Sequence, residues 1–289
     1  MNTHKPVVIG IGELLWDMLP EGKRAGGAPV NFVYHASALG AEGYAISAVG
    51  KDPEGDEIIR ELETNGINYC IPRVAYQTGR VPVTLKDGIP TYIITENVAW
   101  DHIPLTEKAV ELVRKADAIC FGTLAQRDKE SAKTINALIN EAPAKTLRVF
   151  DINIRQHYYS KELIEQSLTK ASIFKINDEE LELLNDLFQL PEDTNEACRW
   201  LLNNYALTHV ILTAGSDYSS VYTRESISTI PTPTVQVKDT VGAGDAFTGA
   251  FVYSLLTGKS VEESHKQAVE TAAFVCTQSG AWPEYPSNK

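Results

Sequence analysis

Short runs rich in β-branched and aromatic residues alternate with longer stretches of helical periodicity along most of this chain. That alternation constrains the fold more than any other feature. Val7–Ile11, Tyr44–Val49, Ala118–Phe121, Arg148–Ile152, Ile173–Ile176 and Val210–Thr213 read as strands. Between or beyond them, Pro29–Leu39, Glu54–Asn65, Glu107–Lys115, Lys129–Glu141, Glu179–Leu187 and Asn195–Asn204 read as helices. Parallel strands need crossover connections, so the expected class is α/β, with a mostly parallel central sheet covered on both faces. The later strands are nearly continuous apolar runs, as a doubly covered sheet requires.

One region breaks the alternation. Val81–Lys86 and Thr91–Thr95 flank Asp87-Gly88, a dipeptide suited to a tight hairpin turn. With a further strand after Glu13, residues from about 13–25 and 78–100 read as a small β-lid over a cleft. No repeat or Pro/Gly-rich linker interrupts residues 1–289, which read as a single domain with a lid.

The formal net charge of −12 argues against nucleic acid or an anionic membrane as partner, since both select Lys and Arg clusters. A phosphate ligand would then have to be met by local amides, a few basic residues and a cation. The four cysteines form no Cys-x-x-Cys pair, and the apolar run from Val7 is interrupted by Glu13 and Asp17. Reduced thiols and a cytoplasmic location are the expectation.

In open α/β sheets, ligands bind beyond the carboxyl ends of the strands. Thr123, Asn153, Arg155, Asn177, Thr213 and Gly215 stand there and suggest a polar crest. The strongest segment is Asp239-Thr240-Val241-Gly242-Ala243-Gly244-Asp245, which leads into a helix of small and apolar residues. The amides of Gly242, Ala243 and Gly244 can close on an anion at the positive helix N-terminus. Asp245 in the first turn is a poor anion ligand but a good proton acceptor for an attacking hydroxyl. A second segment, Gly26-Gly27-Ala28-Pro29-Val30-Asn31, pairs a close backbone approach with an amide side chain. Asp17 and Asn31 are suited to grip vicinal hydroxyls.

These two segments resemble the signatures of the PfkB, or ribokinase-like, carbohydrate kinases. The Asp239–Val252 stretch fits the C-terminal signature throughout; the Gly26–Gly50 stretch fits the N-terminal one, departing at Val33. The resemblance runs from about Val7 to Pro286. It implies a three-layer ribokinase-like sandwich with a β-lid that closes on a sugar. It implies an ATP-dependent phosphotransferase with Asp245 as base and the Gly242 to Gly244 amides as anion hole. It further implies that Asp17, Gly27 and Asn31 hold sugar hydroxyls, with Asn153 beside them. Arg155 lies near the transferred phosphate, and Asn177 and Glu180 organise Mg²⁺ and the ATP phosphates through water. Thr213 and Gly215 belong to the nucleotide loop. Asp239, Thr240, Ser279 and Gly280 resemble a monovalent-cation site, with K⁺ as the ion. Tyr218 stands where relatives often have glycine, which bears on donor contacts.

Gly12-Glu13 with Asp17, and Ala99-Trp100-Asp101 after the hairpin, look fructokinase-like. They point to fructose as acceptor and to Trp100 as an apolar wall for it. Kinases of ribose, nucleosides or 2-keto-3-deoxygluconate are the alternatives; a sugar acid would want a cation such as Arg80, Lys86 or Arg127. A sugar-binding protein without catalysis is disfavoured by the intact Asp245 segment. Gly258-Lys259-Ser260 is no P-loop, because Tyr253 stands where its first glycine belongs, and Gly10-Ile11-Gly12 fails as a dinucleotide fingerprint at Leu15. An exposed edge of the lid offers a route to a homodimer.

Overall fold

The computed structural model describes residues 5–19, 22–86 and 89–286. Nine strands form one sheet in the order Ile227–Pro231, Tyr218–Tyr222, His209–Ala214, Ile173–Asn177, Leu147–Asp151, Ala118–Phe121, Val7–Ile11, Glu42–Ile46 and Asn68–Cys70. Pairing is parallel from Asn68–Cys70 through His209–Ala214 and antiparallel for the last two strands. The period of two divides each central strand between two cores. Val8, Val149, Ile173 and Ile211 face a cluster with Val33 and Phe251. Ile9, Ile119, Phe150 and Phe174 face the opposite cluster. There Phe121, Phe150 and Phe174 stack in a row, with centroids 5.4 and 5.5 Å apart. Both faces are therefore dry, as the parallel topology demands.

Three strands of the large sheet were not legible beforehand. Tyr218–Tyr222 carries two buried serines, Ser219 and Ser220, inside the strand, and Ile227–Pro231 is an edge strand of exposed and half-buried residues. Asn68–Cys70 is only three residues long. The run expected as one strand at Tyr44–Val49 divides into Glu42–Ile46 in the large sheet and Val49–Gly50, which pairs with Arg73–Val74.

A second sheet has the order Gly22–Gly26, Leu15–Leu19, Gly79–Lys86, Ile89–Tyr92. The segment after Glu13 thus supplies two antiparallel strands, not one. Leu15–Leu19 joins the hairpin in parallel. The expected Asp87-Gly88 turn lies outside the described residues. The second hairpin strand comes earlier than Thr91–Thr95, although Ile93 and Thr95 still donate backbone hydrogen bonds to Pro82 and Arg80.

Helices Ala28–Ala38 and Ala243–Leu256 pack together on one face of the large sheet. A Cβ at Gly249 would stand 2.9 Å from the Phe32 carbonyl, so glycine there sets how closely the helices approach. That approach brings the first turns of both helices, with Asn31 and Asp245, to the same end of the sheet. The C-terminal segment locks over the first helix: the Tyr34 hydroxyl donates to the Pro283 carbonyl at 2.6 Å, and Tyr285 meets His35 Nδ1 at 2.7 Å. Among the described residues no helix is long and apolar enough to cross a membrane.

Candidate active site

Helix Ala243–Leu256 starts at Gly242, which has a left-handed φ of 79° and lies against Ala281 where a Cβ would meet its side chain at 2.9 Å. The turn is therefore closed to larger residues by both conformation and contact. The Ala243 amide donates to the Thr240 carbonyl at 3.2 Å, so of the three amides expected to face an anion this one turns into the loop. Gly244, in the first turn, has no intrahelical acceptor for its amide.

Asp245 lies in the same turn and is half-buried. Asn31 Nδ2 donates to its Oδ2 at 2.8 Å, and Trp282 Nε1 donates to Asn31 Oδ1 at 2.8 Å. The amide of Asn31 is thus fixed in orientation and presents a donor to the carboxylate. Burial, reinforced by the charge of Asp151, raises the Asp245 pKa to about 6; Asn31, Lys175 and Arg155 oppose the rise. A carboxylate poised there is ionised at neutral pH yet basic enough to take a proton.

Behind the loop lies a buried network that motif reading missed. Lys175 Nζ pairs with Asp151 Oδ1 at 3.0 Å, and Thr248 Oγ1 donates to Asp151 Oδ2 at 3.1 Å. Burial would lower the Lys175 pKa, but Asp151, Glu180 and Asp245 together raise it, so the ammonium stays charged. It lies directly under the first helical turn: a Cβ on Gly244 would stand 3.4 Å from Nζ. The readable signal was a lysine inside an otherwise apolar strand, Ile173–Asn177, where an unpaired charge is excluded.

Glu13 is the second missed carboxylate. Its Oε1 accepts the Ala28 amide at 3.1 Å, while Oε2 is buried with no partner. With Asp151, Asn153 and Asp245 it lines a crevice of about 10 Å³. Burial, with a smaller push from Asp245, lifts its pKa to about 7 against the pull of nearby backbone amides. The folded value exceeds the unfolded 4.5, so stability is greatest below that pH and declines as pH rises through about 7. Glu13→Gln removes the ionisation. Between pH 5 and pH 8 its melting temperature should fall less than the wild type's, by a few degrees or on the order of 2 kcal/mol. An identical pH dependence in both proteins would refute the assignment.

The other expected residues fall into two groups. Asn177, Thr213, Gly215, Thr240, Ala243 and Gly244 line a cleft of about 610 Å³ that also includes Tyr218 and Phe247. Asn153 and Asp245 line the small crevice with Glu13, and Asn31 reaches Asp245. Asn153 holds a left-handed φ of 42°, rare outside glycine. Arg155 is exposed, but its charge acts on Asp17, Glu13 and Asp245 alike, so Asp17 on the small sheet faces the same region. Burial raises the Asp17 pKa while Arg155 opposes the shift. Gly27, with φ 137°, has the Glu13 carbonyl 2.1 Å from where a Cβ would stand; chain packing alone already requires glycine there.

Three placements differ from expectation. Trp100 is fully buried, its ring under the Arg127 guanidinium at 4.0 Å, and it lines neither the cleft nor the crevice; it belongs to the core. Glu180 turns away from the cleft: its oxygens accept the Ile154 and Asn177 amides at 2.7 and 2.9 Å in a capping box. Asp178 and Glu179 reach the cleft wall instead. At the expected cation site, Asp239 Oδ2 accepts Arg24 Nη1 at 2.9 Å and the Gly280 amide at 3.0 Å, and Oδ1 accepts the Val241 amide at 3.1 Å. Burial would raise the Asp239 pKa, but these donors hold it below the usual range. The Thr240 carbonyl receives the Ala243 amide, and Ser279 is exposed. A monovalent ion on Asp239 would sit against a guanidinium, so these residues do not fit one.

The profile described as pfkB family carbohydrate kinase matches residues 21–288. PH1459 of Pyrococcus horikoshii, described as a sugar kinase, is 29% identical over 98% of this chain and 94% of its own. Its crystal structure superposes with a TM-score of 0.82 over 96% of this chain and 93% of that one. A fructokinase of Rhizobium leguminosarum bv. trifolii is 27% identical over 91% of this chain and 85% of its own. The fold is shared with the fructokinase of Xylella fastidiosa crystallised with ATP, at TM-score 0.82 and 23% identity over 96% and 94% of the two chains.

Proposed function

The chain belongs to the pfkB family of carbohydrate kinases, phosphotransferases with an alcohol group as acceptor, and from that premise we propose that it moves the γ-phosphoryl group of ATP to fructose, giving fructose 6-phosphate. The observation that carries this reading is the half-buried Asp245 carboxylate, held by Asn31 in the first turn of a helix whose N-terminus opens on a cleft of about 610 Å³.

In the proposed reaction, Asp245 accepts the proton of the attacking hydroxyl as oxygen bonds to the γ-phosphorus and the bond to the β-phosphate oxygen breaks. The Gly242 and Gly244 amides, backed by Lys175 and flanked by Arg155, stabilise charge on the transferring group. The Mg²⁺ that accompanies a nucleoside triphosphate supplies neutralisation of its phosphates; Asn177, Asp178 and Glu179 on the cleft wall are the residues that would hold its water shell. Thr213 and Gly215 contact the nucleotide, with Tyr218 offering a ring face beside them. PH1459, crystallised in complex with ATP, supports that donor. The small sheet closes over the sugar and excludes water.

Of the three cations a sugar acid would call on, Arg127 is committed elsewhere. Its Nε and Nη2 each meet an Asp101 oxygen at 2.8 Å, and it lies between the Trp100 and Tyr158 rings. ADP release from Mg-ATP across fructose, ribose, glucose, adenosine and 2-keto-3-deoxygluconate tests the proposal. Turnover should be strongest with fructose; preference for another acceptor would reassign the substrate, and silence with all of them in folded protein would oppose the kinase reading. Asp17→Ala should raise the fructose KM about tenfold or more while kcat changes little, as loss of a charged hydrogen bond to a hydroxyl predicts. An unchanged KM would remove Asp17 from the sugar site.

A further inference from the structure

The Asp239 carboxylate belongs to the loop that leads into the first turn of helix Ala243–Leu256, where the proposed function places a transferring phosphoryl group. An uncompensated carboxylate there would repel that group. We propose that Arg24 supplies the compensating charge as a positioning residue, so that turnover needs no monovalent cation and the small sheet is tied directly to the anion-binding loop.

Three observations carry this. Arg24 lies on strand Gly22–Gly26 of the small sheet, and its Nη1 meets Asp239 Oδ2 at 2.9 Å across 215 positions of sequence. The same oxygen takes the Gly280 amide, and Oδ1 takes the Val241 amide, so the carboxylate already receives three N–H donors, one of them cationic. Ala281 packs on Gly242, so the segment that donates to Asp239 also fixes the start of the helix. Arg24, Asp239 and residues 280–281 thus form one clamp on the Gly242–Gly244 turn. A guanidinium is charged at every accessible pH and tethered, so it can do permanently what a dissociable ion does by mass action.

Because the inference rests on the kinase reading, its test uses both turnover and binding. ADP release with Mg-ATP and the best acceptor would be compared in K⁺, NH₄⁺ and tetramethylammonium chloride at equal ionic strength, for the wild type, Arg24→Ala and Arg24→Lys. The wild type should show the same rate within about twofold in all three salts. Arg24→Ala should be slower in tetramethylammonium by roughly five-fold or more, and K⁺ or NH₄⁺ should restore part of the loss as the ion enters the vacated position. Arg24→Lys should stay indifferent to the salt. In parallel, thallium-205 line broadening would report binding directly: none specific to the wild type, saturable binding to Arg24→Ala. Strong K⁺ activation of the wild type, saturable Tl⁺ binding to it, or salt-indifferent loss of rate in Arg24→Ala would each overturn the inference. Absence of turnover with any acceptor would count against the kinase reading alone, because the thallium comparison decides the Arg24 question by itself.

Discussion

Asp245→Asn should lower kcat by roughly 10²–10⁴-fold while the affinity for ATP stays nearly unchanged. The substitution keeps the shape of the side chain and retains an oxygen to accept the Asn31 amide hydrogen, now 2.8 Å away. What it removes is the capacity to take a proton. The pH profile makes the test sharper. Asp245 titrates at about 6 in the folded protein, and only its ionised form can act as base. The wild-type kcat/KM should therefore rise about tenfold per pH unit below that value and level off above it. The residual activity of Asp245→Asn should lack this limb. Because Glu13 titrates at about 7 beside it, the wild-type limb belongs to the pair, and Glu13→Gln should leave a simpler single-step profile. Near-wild-type turnover in Asp245→Asn would remove Asp245 from the chemistry.

The parts legible in the sequence are those written in local pattern. The central parallel strands show as apolar runs, and the Gly242–Asp245 turn shows because a left-handed glycine, small neighbours and a first-turn acid are needed in fixed order. The less legible parts depend on what meets across the sheet. Nothing near Asn31 announces that Trp282, 251 positions away, holds its amide oxygen. Nothing near Asp239 announces Arg24, because only the placing of the small sheet brings them together. Trp100 misled for a related reason: an aromatic residue after a hairpin fits a ligand wall and a core equally well, and its covering partner, Arg127, comes from a different element. Glu180 misled because a capping-box glutamate and a cation-directing glutamate share one spacing.

Lys175→Met should be the most damaging substitution outside the base itself. The lysine is 7% exposed, and its ammonium is the direct cationic partner of Asp151 at 3.0 Å. Its removal leaves a carboxylate buried without that partner, at a cost of roughly 3–5 kcal/mol in stability. The catalytic effect should be separate from this. With the ammonium gone from beneath Gly244, the transferring group loses a nearby positive charge, and kcat should fall by roughly 10²-fold. Asp245 also loses a group that opposes its raised pKa, so the acid limb of the pH profile should move upward from about 6. Pairing Lys175→Met with Asp151→Asn distinguishes the two effects. Neutralising the stranded carboxylate should return much of the stability, because the penalty lies in the unpaired charge and not in the missing lysine. It should not return turnover, because the positive charge under the loop is still absent. If stability and turnover recover together in the double variant, Lys175 acts only through the fold. If stability returns while kcat stays low, the buried ammonium is part of the electrostatic environment that a phosphoryl group meets at this helix.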